Sequence, residues 1–412
     1  MVRSEKMILA KTDEMATWLS DATAIYNQCL YYFRQEYFGA RNENRKTEYS
    51  KIDSYKLVKE SESWKNSTLD VNAKQYVLRK VKDNWFSFYK ACKSYWKDKS
   101  KFLGEPKLPA YLKHGRTAIL IFDKTRLRNK DLKNNRLSLP KSKWMIQLPD
   151  YIQISKIKCI TVKSYYGKIK LCISYDKNTD IRKLNKDNCL GIDIGVDNLV
   201  SITTNNQMNK SWIVKGGYVK SINQFYNKRL SEMKSILETV NKTKTSKKVW
   251  RLNMKRKHQL DYEFHCLSKK IVRLCLENDI GTIVIGHNKN WKHKSNLGKK
   301  TNQKFVQIPF NDLIFKLQYK CEENGVSCVT TEESYTSKID HCVREDMKHH
   351  DSYLGKRVKR GLFNSSCGKV LNADINGAIG ILRKVNAFSD ADFIGLRDRG
   401  DVVSPLVLKY KP

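Results

Sequence analysis

From Thr12 onward, apolar residues recur at three- and four-residue steps: Met15, Trp18, Leu19, Ala22, Ile25, Tyr26, Cys29 and Phe33. That spacing draws one apolar stripe down a helix, and Thr12 or Asp13 is placed to cap its first turn. A short strand over residues 5–10 precedes it, and a polar stretch from Arg41 to Lys51 follows. A second helix is predicted over about 70–98. Tyr76, Val77, Val81, Trp85, Phe88, Tyr89 and Trp96 supply its apolar face, and Lys80, Lys82, Lys90, Lys93, Lys97 and Lys99 crowd much of the rest. Gly104, Pro106 and Pro109 then break the helical pattern.

Between about 116 and 176 the period changes to two. Residues 119–122, 137–139, 144–148 and 157–163 read as short strands, and 168–175 pairs with the last of these across a turn near Gly167. So many short strands in so brief a stretch predict a small barrel or sandwich. The strand at 5–10 belongs with it if the intervening helices are an insertion. At 189 the texture changes again. A buried strand (CLGIDIG) and a second strand lead into two amphipathic helices, one carrying Ile222, Phe225, Tyr226, Leu230, Met233 and Leu237, the other Leu260, Phe264, Leu267, Ile271 and Leu274. There follow a strand at 282–285, a basic loop, a helix after Pro309, a strand near 326–331, a polar loop over 336–370 and a short helix after Asp374. Strands alternating with helices mean an α/β domain. The end of the chain, from about 386, reads as a loose tail.

Charge narrows the partners. Seventy-nine Lys and Arg against 42 Asp and Glu leave a net charge of +37. So large an excess calls for a polyanion, and nucleic acid repays each neutralised phosphate with released counterions. No run of about 18 apolar residues occurs, so no membrane span is expected. The 11 cysteines are scattered and nowhere form CxxC, which fits a reducing compartment, the cytoplasm or nucleoid of a cell.

Two acidic residues carry candidate chemistry. Asp193 sits in Gly191-Ile192-Asp193-Ile194-Gly195, a carboxylate inside an otherwise apolar strand. Such a group needs a cation or a hydrogen-bond network. Asp374, in Leu371-Asn372-Ala373-Asp374-Ile375-Asn376-Gly377, stands at the mouth of a small-residue helix, where a helix cap is the competing explanation. Two-metal phosphodiester cleavage gathers a few carboxylates from distant segments around ions about 4 Å apart. Oxygen-only ligands favour magnesium or manganese over zinc. A third acid is then wanted on another strand.

GIDIGVDNLVSITTNN resembles the first motif of the RuvC-like domain of TnpB proteins, transposon-encoded relatives of type V CRISPR nucleases. The likeness runs from 189 to about 384, through FVQIPFNDLIFKLQYKCEENGVSCVTTEESYTSK and GKRVKRGLFNSSCGKVLNADINGAIGILRK, and GEPKLPAYLK is similar to the family's helical-to-barrel junction. Two departures stand out. Where much of the family ends a strand in a catalytic Glu, this chain has Gly286. One branch of TnpB, and the related Fanzor proteins, bring the Glu from the strand before a Thr-Ser-Lys motif. That arrangement is similar to Glu332-Glu333-Ser334-Tyr335-Thr336-Ser337-Lys338 here. Glu333 is the first choice and Glu332 the reserve, since their side chains leave a strand on opposite faces. Paired zinc cysteines are also missing: His341, Cys342, His349, His350 and Cys367 lack the spacing, and no zinc is expected.

The resemblance implies a multi-domain α+β protein: an RNase H-like (RuvC) α/β domain plus a β-barrel wedge domain with an inserted helical recognition domain. The wedge would be 1–14 and 115–187, the recognition helices 15–114, the RuvC-like domain 188–335 and 371–385, a degenerate zinc-finger insertion 336–370, and the tail 386–412. It further implies an RNA-guided DNA endonuclease tied to a transposable element. Its partners would be a guide RNA and double-stranded target DNA bearing a short adjacent motif, and Asp193, Glu333 and Asp374 would hold magnesium or manganese. Lys289, Trp291, Lys292, Lys294, Lys299 and Lys300, with Lys356, Arg357, Lys359 and Arg360, make two basic segments expected to face nucleic acid. The rival readings are an inactive RNA-guided DNA-binding repressor, suggested by Gly286, and a DNA-only RNase H-like nuclease or transposase accessory protein.

Overall fold

A computed structural model describes residues 1–47, 52–113, 115–131, 135–179, 181–205, 210–240, 242–243, 245–288, 303, 305–359, 361–388 and 400–410. The chain is a multi-domain α+β protein dividing into two compact units, Met1–Asn178 and Thr179–Pro412. The division falls ahead of 187 because the segment after it bonds into the second unit. Asn185 O accepts from Gly281 N–H at 2.7 Å, and Asn188 Nδ2 donates to Asp279 O at 2.9 Å.

In the first unit, β1 (Val2–Leu9) leads into α1 (Asp13–Asn42). Thr12 is the cap, its Oγ1 accepting from Met15 N–H at 3.2 Å, and Asp13 and Glu14 complement the helix N-terminus. Two short helices, α2 (Ser54–Val58) and α3 (Glu62–Lys65), precede α4 (Val71–Lys97). Trp85 is the largest fully buried side chain of α4, with Phe33 of α1 stacked on it at 6.0 Å. Trp96 departs from the expected apolar face. It is 66% exposed, with Lys99 Nζ 4.9 Å from its ring.

β2 (Leu120–Asp123), β6 (Ile157–Tyr165) and β7 (Lys168–Asp176) join β1 in a four-stranded antiparallel sheet ordered β1-β7-β6-β2. Tyr166 and Gly167 turn β6 into β7 with φ of 48° and 77°, the two-residue geometry that suits strand twist. β3 (Arg128–Asp131), β4 (Arg136–Ser138) and β5 (Met145–Gln147) form a separate three-stranded sheet. Hydrogen bonding among the described residues thus makes two sheets and no closed barrel. Leu120, Phe122, Leu137, Leu139, Ile146, Ile160 and Val162 share one core with α1 and α4. β1 pairs with β7 across the intervening helices, Glu5 opposite Ile173 and Lys6 opposite Cys172.

The second unit is built on a six-stranded sheet. Its strands are β8 (Cys189–Ile194), β9 (Asn198–Thr204), β10 (Trp212–Lys215), β11 (Thr282–Gly286), β12 (Ser327–Thr331) and β16 (Leu406–Val407), ordered β12-β11-β8-β9-β10-β16. β8, β11 and β12 run parallel, and β9 is antiparallel to its neighbours β8 and β10. α5 (Gly217–Thr239), α6 (Lys247–Glu277) and α7 (Phe310–Asn324) pack into the core with Leu190, Ile192, Ile283 and Ile285. α8 (Ala373–Arg383) lies against the opposite face, its Ile381 and Leu382 meeting Cys189 and Val284.

Two expectations change here. The polar loop over 336–370 contains a small antiparallel sheet of β13 (Lys356–Lys359), β14 (Leu362–Asn364) and β15 (Val370–Asn372). The tail is not wholly loose, since a helical turn, α9 (Gly400–Val403), is followed by β16, which adds to β10 in parallel. The open edge of β10 supplies the hydrogen bonds, a pairing across nearly 200 residues that Leu406–Val407 alone do not reveal.

Candidate active site

Strand alternation sets the site. Leu190, Ile192 and Ile194 of β8 enter the core shared with α6 and α7, so Gly191 and Asp193 face the other way, toward α8. The approach is close. A Cβ on Gly191 would lie 2.7 Å from Ala378 O and Leu382 Cγ, and one on Gly377 would lie 2.8 Å from Asp193 Oδ2. Glycine at 377 lets the Asp193 carboxylate rest against the first turns of α8. Burial, and then repulsion from Glu333 and Asp374, push the Asp193 carboxyl up to about 8, against a smaller opposing pull from Arg357.

Asp374 occupies the first turn of α8 but does not cap it. Asn372 does, its Oδ1 accepting from the N–H groups of Asp374 and Ile375 at 3.1 and 3.3 Å. The Asp374 carboxylate is left to accept from Asn198 Nδ2 at 2.7 Å and, at 3.5 Å, from Arg357 Nη2. Asn198 is the first residue of β9, directly after the Gly195 turn. Its role was missed in the sequence, where the only cue is a carboxamide at the mouth of an apolar strand.

Glu333 arrives from two residues beyond β12. Thr331 pairs with Gly286 of β11, so by alternation Glu333 lies on the face of Gly286 and Glu332 on the other. A Cβ on Gly286 would fall 2.7 Å from Glu333 Oε1, 2.8 Å from Glu333 Cγ and 2.4 Å from Ile381 Cδ1. The Glu333 side chain therefore fills the space a side chain at 286 would need. Asn288 Oδ1 holds its backbone N–H at 2.9 Å, and burial pushes its carboxyl up to about 7. Its Oε1 is buried without a hydrogen-bond partner, the condition a cation relieves. Glu332 is exposed and accepts from Ser334 Oγ.

The three acids meet electrostatically, yet among the described residues no three His, Cys, Asp or Glu side chains form a closed donor set. Gly286→Ala is expected to lower stability by ~1–3 kcal/mol, the usual cost of overpacking. Thermal denaturation of the second unit checks it, and an unchanged midpoint would mean that the space is slacker than these distances.

The remaining predicted site residues separate. Lys356, Arg357 and Lys359 are exposed on β13, and only Arg357 reaches the acids. Lys289, Trp291, Lys292, Lys294, Lys299, Lys300 and Arg360 lie outside the described residues. His341 is buried with both ring nitrogens engaged, Nε2 donating to Thr336 O at 2.7 Å and Nδ1 accepting from Arg383 Nη1 at 2.8 Å. Burial pulls its pKa down to about 3. His350 Nε2 bonds to Asp346 O at 2.8 Å, and His349 sits edge-on to Tyr335 at 6.3 Å.

Residues 172–292 match the OrfB_IS605 family, described as "probable transposase", and 310–381 match the TNB domain of Cas12f1-like proteins. Over 411 residues the chain is 24% identical to the TnpB-like protein ORF457 of Acidianus two-tailed virus, covering 89% of this chain and 82% of that protein. It is 26% identical over 221 residues to the CRISPR-associated endodeoxyribonuclease Cas12f1 of Sulfoacidibacillus thermotolerans, covering 52% of this chain and 49% of that relative. A solved Cas12f1–sgRNA–target DNA complex aligns with 92% of this chain and 98% of its own at 15% identity and a TM-score of 0.35. The mini-RNA-guided endonuclease CRISPR-Cas_phi3 aligns with 94% and 92% at 9% identity and a TM-score of 0.46. The matched segments and a TnpB-like relative aligned over most of both chains support a protein of the transposase-related, RNA-guided nuclease group. Within it, these matches support membership of the TnpB family.

Proposed function

We propose that this chain is an RNA-guided DNA endonuclease of a transposable element, cutting target DNA by two-metal phosphodiester hydrolysis at Asp193, Glu333 and Asp374. One observation carries the reading. The carboxylate of Glu333 occupies the space beside Gly286, on the sheet face that also carries Asp193, so the glycine does not leave that face short of an acid. An α/β unit with these acids on one face of its sheet is consistent with an RNase H-like, RuvC-type domain over 188–335 and 371–385. The first unit is correspondingly read as a wedge, 1–14 and 115–187, with a recognition insertion at 15–114. The pairing of β1 with β7 around the helices supports that division.

The three proposed ligands are all carboxylates, a chemistry that fits magnesium or manganese. When bound, such ions supply an activated water and stabilise the leaving oxygen. The residues' own contributions are distinct. Asp193 and Glu333 offer half-buried carboxylates that a cation would hold ionised. Asn198 aims the Asp374 carboxylate through its 2.7 Å hydrogen bond. Arg357 stands where it can balance charge beside Asp374.

A guide RNA and double-stranded DNA with a short adjacent motif are the proposed partners. Family membership and the +37 charge support them, and in such effectors base pairing supplies sequence specificity while the protein reads shape. Purification with the co-expressed flanking RNA, followed by incubation with matched DNA and magnesium, tests the reading. Cutting that needs RNA, matched target and divalent metal is the expected result. Guided binding without cutting would select a repressor, and cutting by RNA-free protein a DNA-only nuclease.

A further inference from the structure

The insertion between Glu333 and Asp374 is organised by a carboxylate. Asp340 is fully buried and accepts from Ser365 Oγ at 2.9 and 2.8 Å, Ser366 N–H at 2.7 Å, Ser366 Oγ at 3.0 Å and Cys342 N–H at 3.1 Å. Ser365 Oγ also lies 3.0 Å from Cys367 Sγ, and burial, and then neighbouring Cys367, push the free Cys342 thiol up to about 12. Four side chains, Asp340, Cys342, Ser365 and Cys367, thus gather in two pairs where the resemblance would place zinc. Here a carboxylate accepting from both strands of the loop takes the central place.

The knot is tied to the acid-bearing elements. Asn376 Nδ2 donates to Ile339 O at 3.0 Å, and Arg383 Nη1 reaches Glu345 O at 3.0 Å, so both hold the insertion to α8. Glu345 in turn accepts from Asp340 N–H at 2.7 Å and Leu354 N–H at 2.9 Å, just ahead of the Arg357 strand. A Cβ on Gly380 would lie 2.5 Å from His341 Nε2, so the seam is closely packed. A short stretch joins Glu333 to Asp340, and another joins Ser366 to Asp374.

We infer that Asp340 is a positioning residue: its buried carboxylate clasps the segment leaving Glu333 to the strand pair that delivers Arg357 and Asp374, the work of a structural metal done by hydrogen bonds. The inference rests on reading the three acids as metal ligands. Failure of that reading would show first in the parent chain, as absence of Mn²⁺ binding. The test compares full-length parent, Asp340→Asn, and Asp340→Cys combined with Ser365→Cys, using hydrogen exchange and Mn²⁺ binding followed by electron paramagnetic resonance. In Asp340→Asn an amide faces the donors. Amide protection over 334–345 and 362–374 is expected to fall while β8 and β9 stay protected, and Mn²⁺ affinity to drop ~10–100-fold, the usual cost of losing a group that orients ligands. The double variant places four thiols at the knot, and zinc is expected to restore both readouts. Unchanged protection in Asp340→Asn overturns the inference. So does lost protection with unchanged Mn²⁺ affinity, which would leave Asp340 a local scaffold only. Zinc bound by the double variant without recovery of either readout overturns it as well.

Discussion

Glu333→Gln is expected to reduce DNA cutting by at least ~10³-fold, the scale of losing a group that stabilises transition-state charge, while guided binding to target DNA stays close to that of the parent. The amide keeps the shape that fills the space beside Gly286 and removes the charge, so folding is spared and chemistry is not. Glu332→Ala is the control. Its carboxylate is exposed on the opposite face, and cutting should continue at the parental rate. Single-turnover cleavage beside a binding assay checks both. Normal cutting by Glu333→Gln, with loss in Glu332→Ala, would assign the third acid to the wrong neighbour.

Asp193→Asn should act in two directions at once. Cutting is lost on the same scale, while the metal-free protein becomes more stable, because a buried carboxylate repelled by two others costs stability whenever it is ionised. The pH dependence follows from the folded carboxyl being held up to about 8. From about pH 4, where an unfolded Asp loses its proton, up to about 8, the folded state binds the extra proton, so stability falls as pH rises. The gain from Asn is therefore near zero at pH 4 and grows to ~2 kcal/mol at pH 8, discounted from the full shift for partial solvent access. Denaturant unfolding in chelator across that range measures it. Adding magnesium at pH 8 should narrow the difference by stabilising the parent alone.

The same two residues show why the site was only partly legible beforehand. Asp193 announces itself because a carboxylate within an alternating apolar strand contradicts its own surroundings, a conflict visible from neighbours one and two positions away. Glu333 does not. Beside Glu332 in a polar stretch it looks like a solvated strand end, and only the pairing of Thr331 with Gly286 settles which face it takes. For Asp374 the sequence left metal ligand and helix cap both open, and the structure gives the cap to Asn372. Asn198 gave only a carboxamide at a strand mouth and Asp340 nothing, since each matters through a partner far along the chain.

What the amino-acid order determined by itself was local: helices of 3.6-residue period, the first capped at Thr12 or Asp13, strands of period two, a strongly basic charge, and one acid out of place. Tertiary structure alone decided that β16 returns to the sheet edge, that the polar stretch carries a three-stranded antiparallel sheet, and that Glu333 takes up the room beside Gly286. The physical reason is range. Backbone periodicity and capping act over a few residues, whereas register between distant strands, and the repulsion among carboxylates from three separate segments, exist only once the chain has closed on itself.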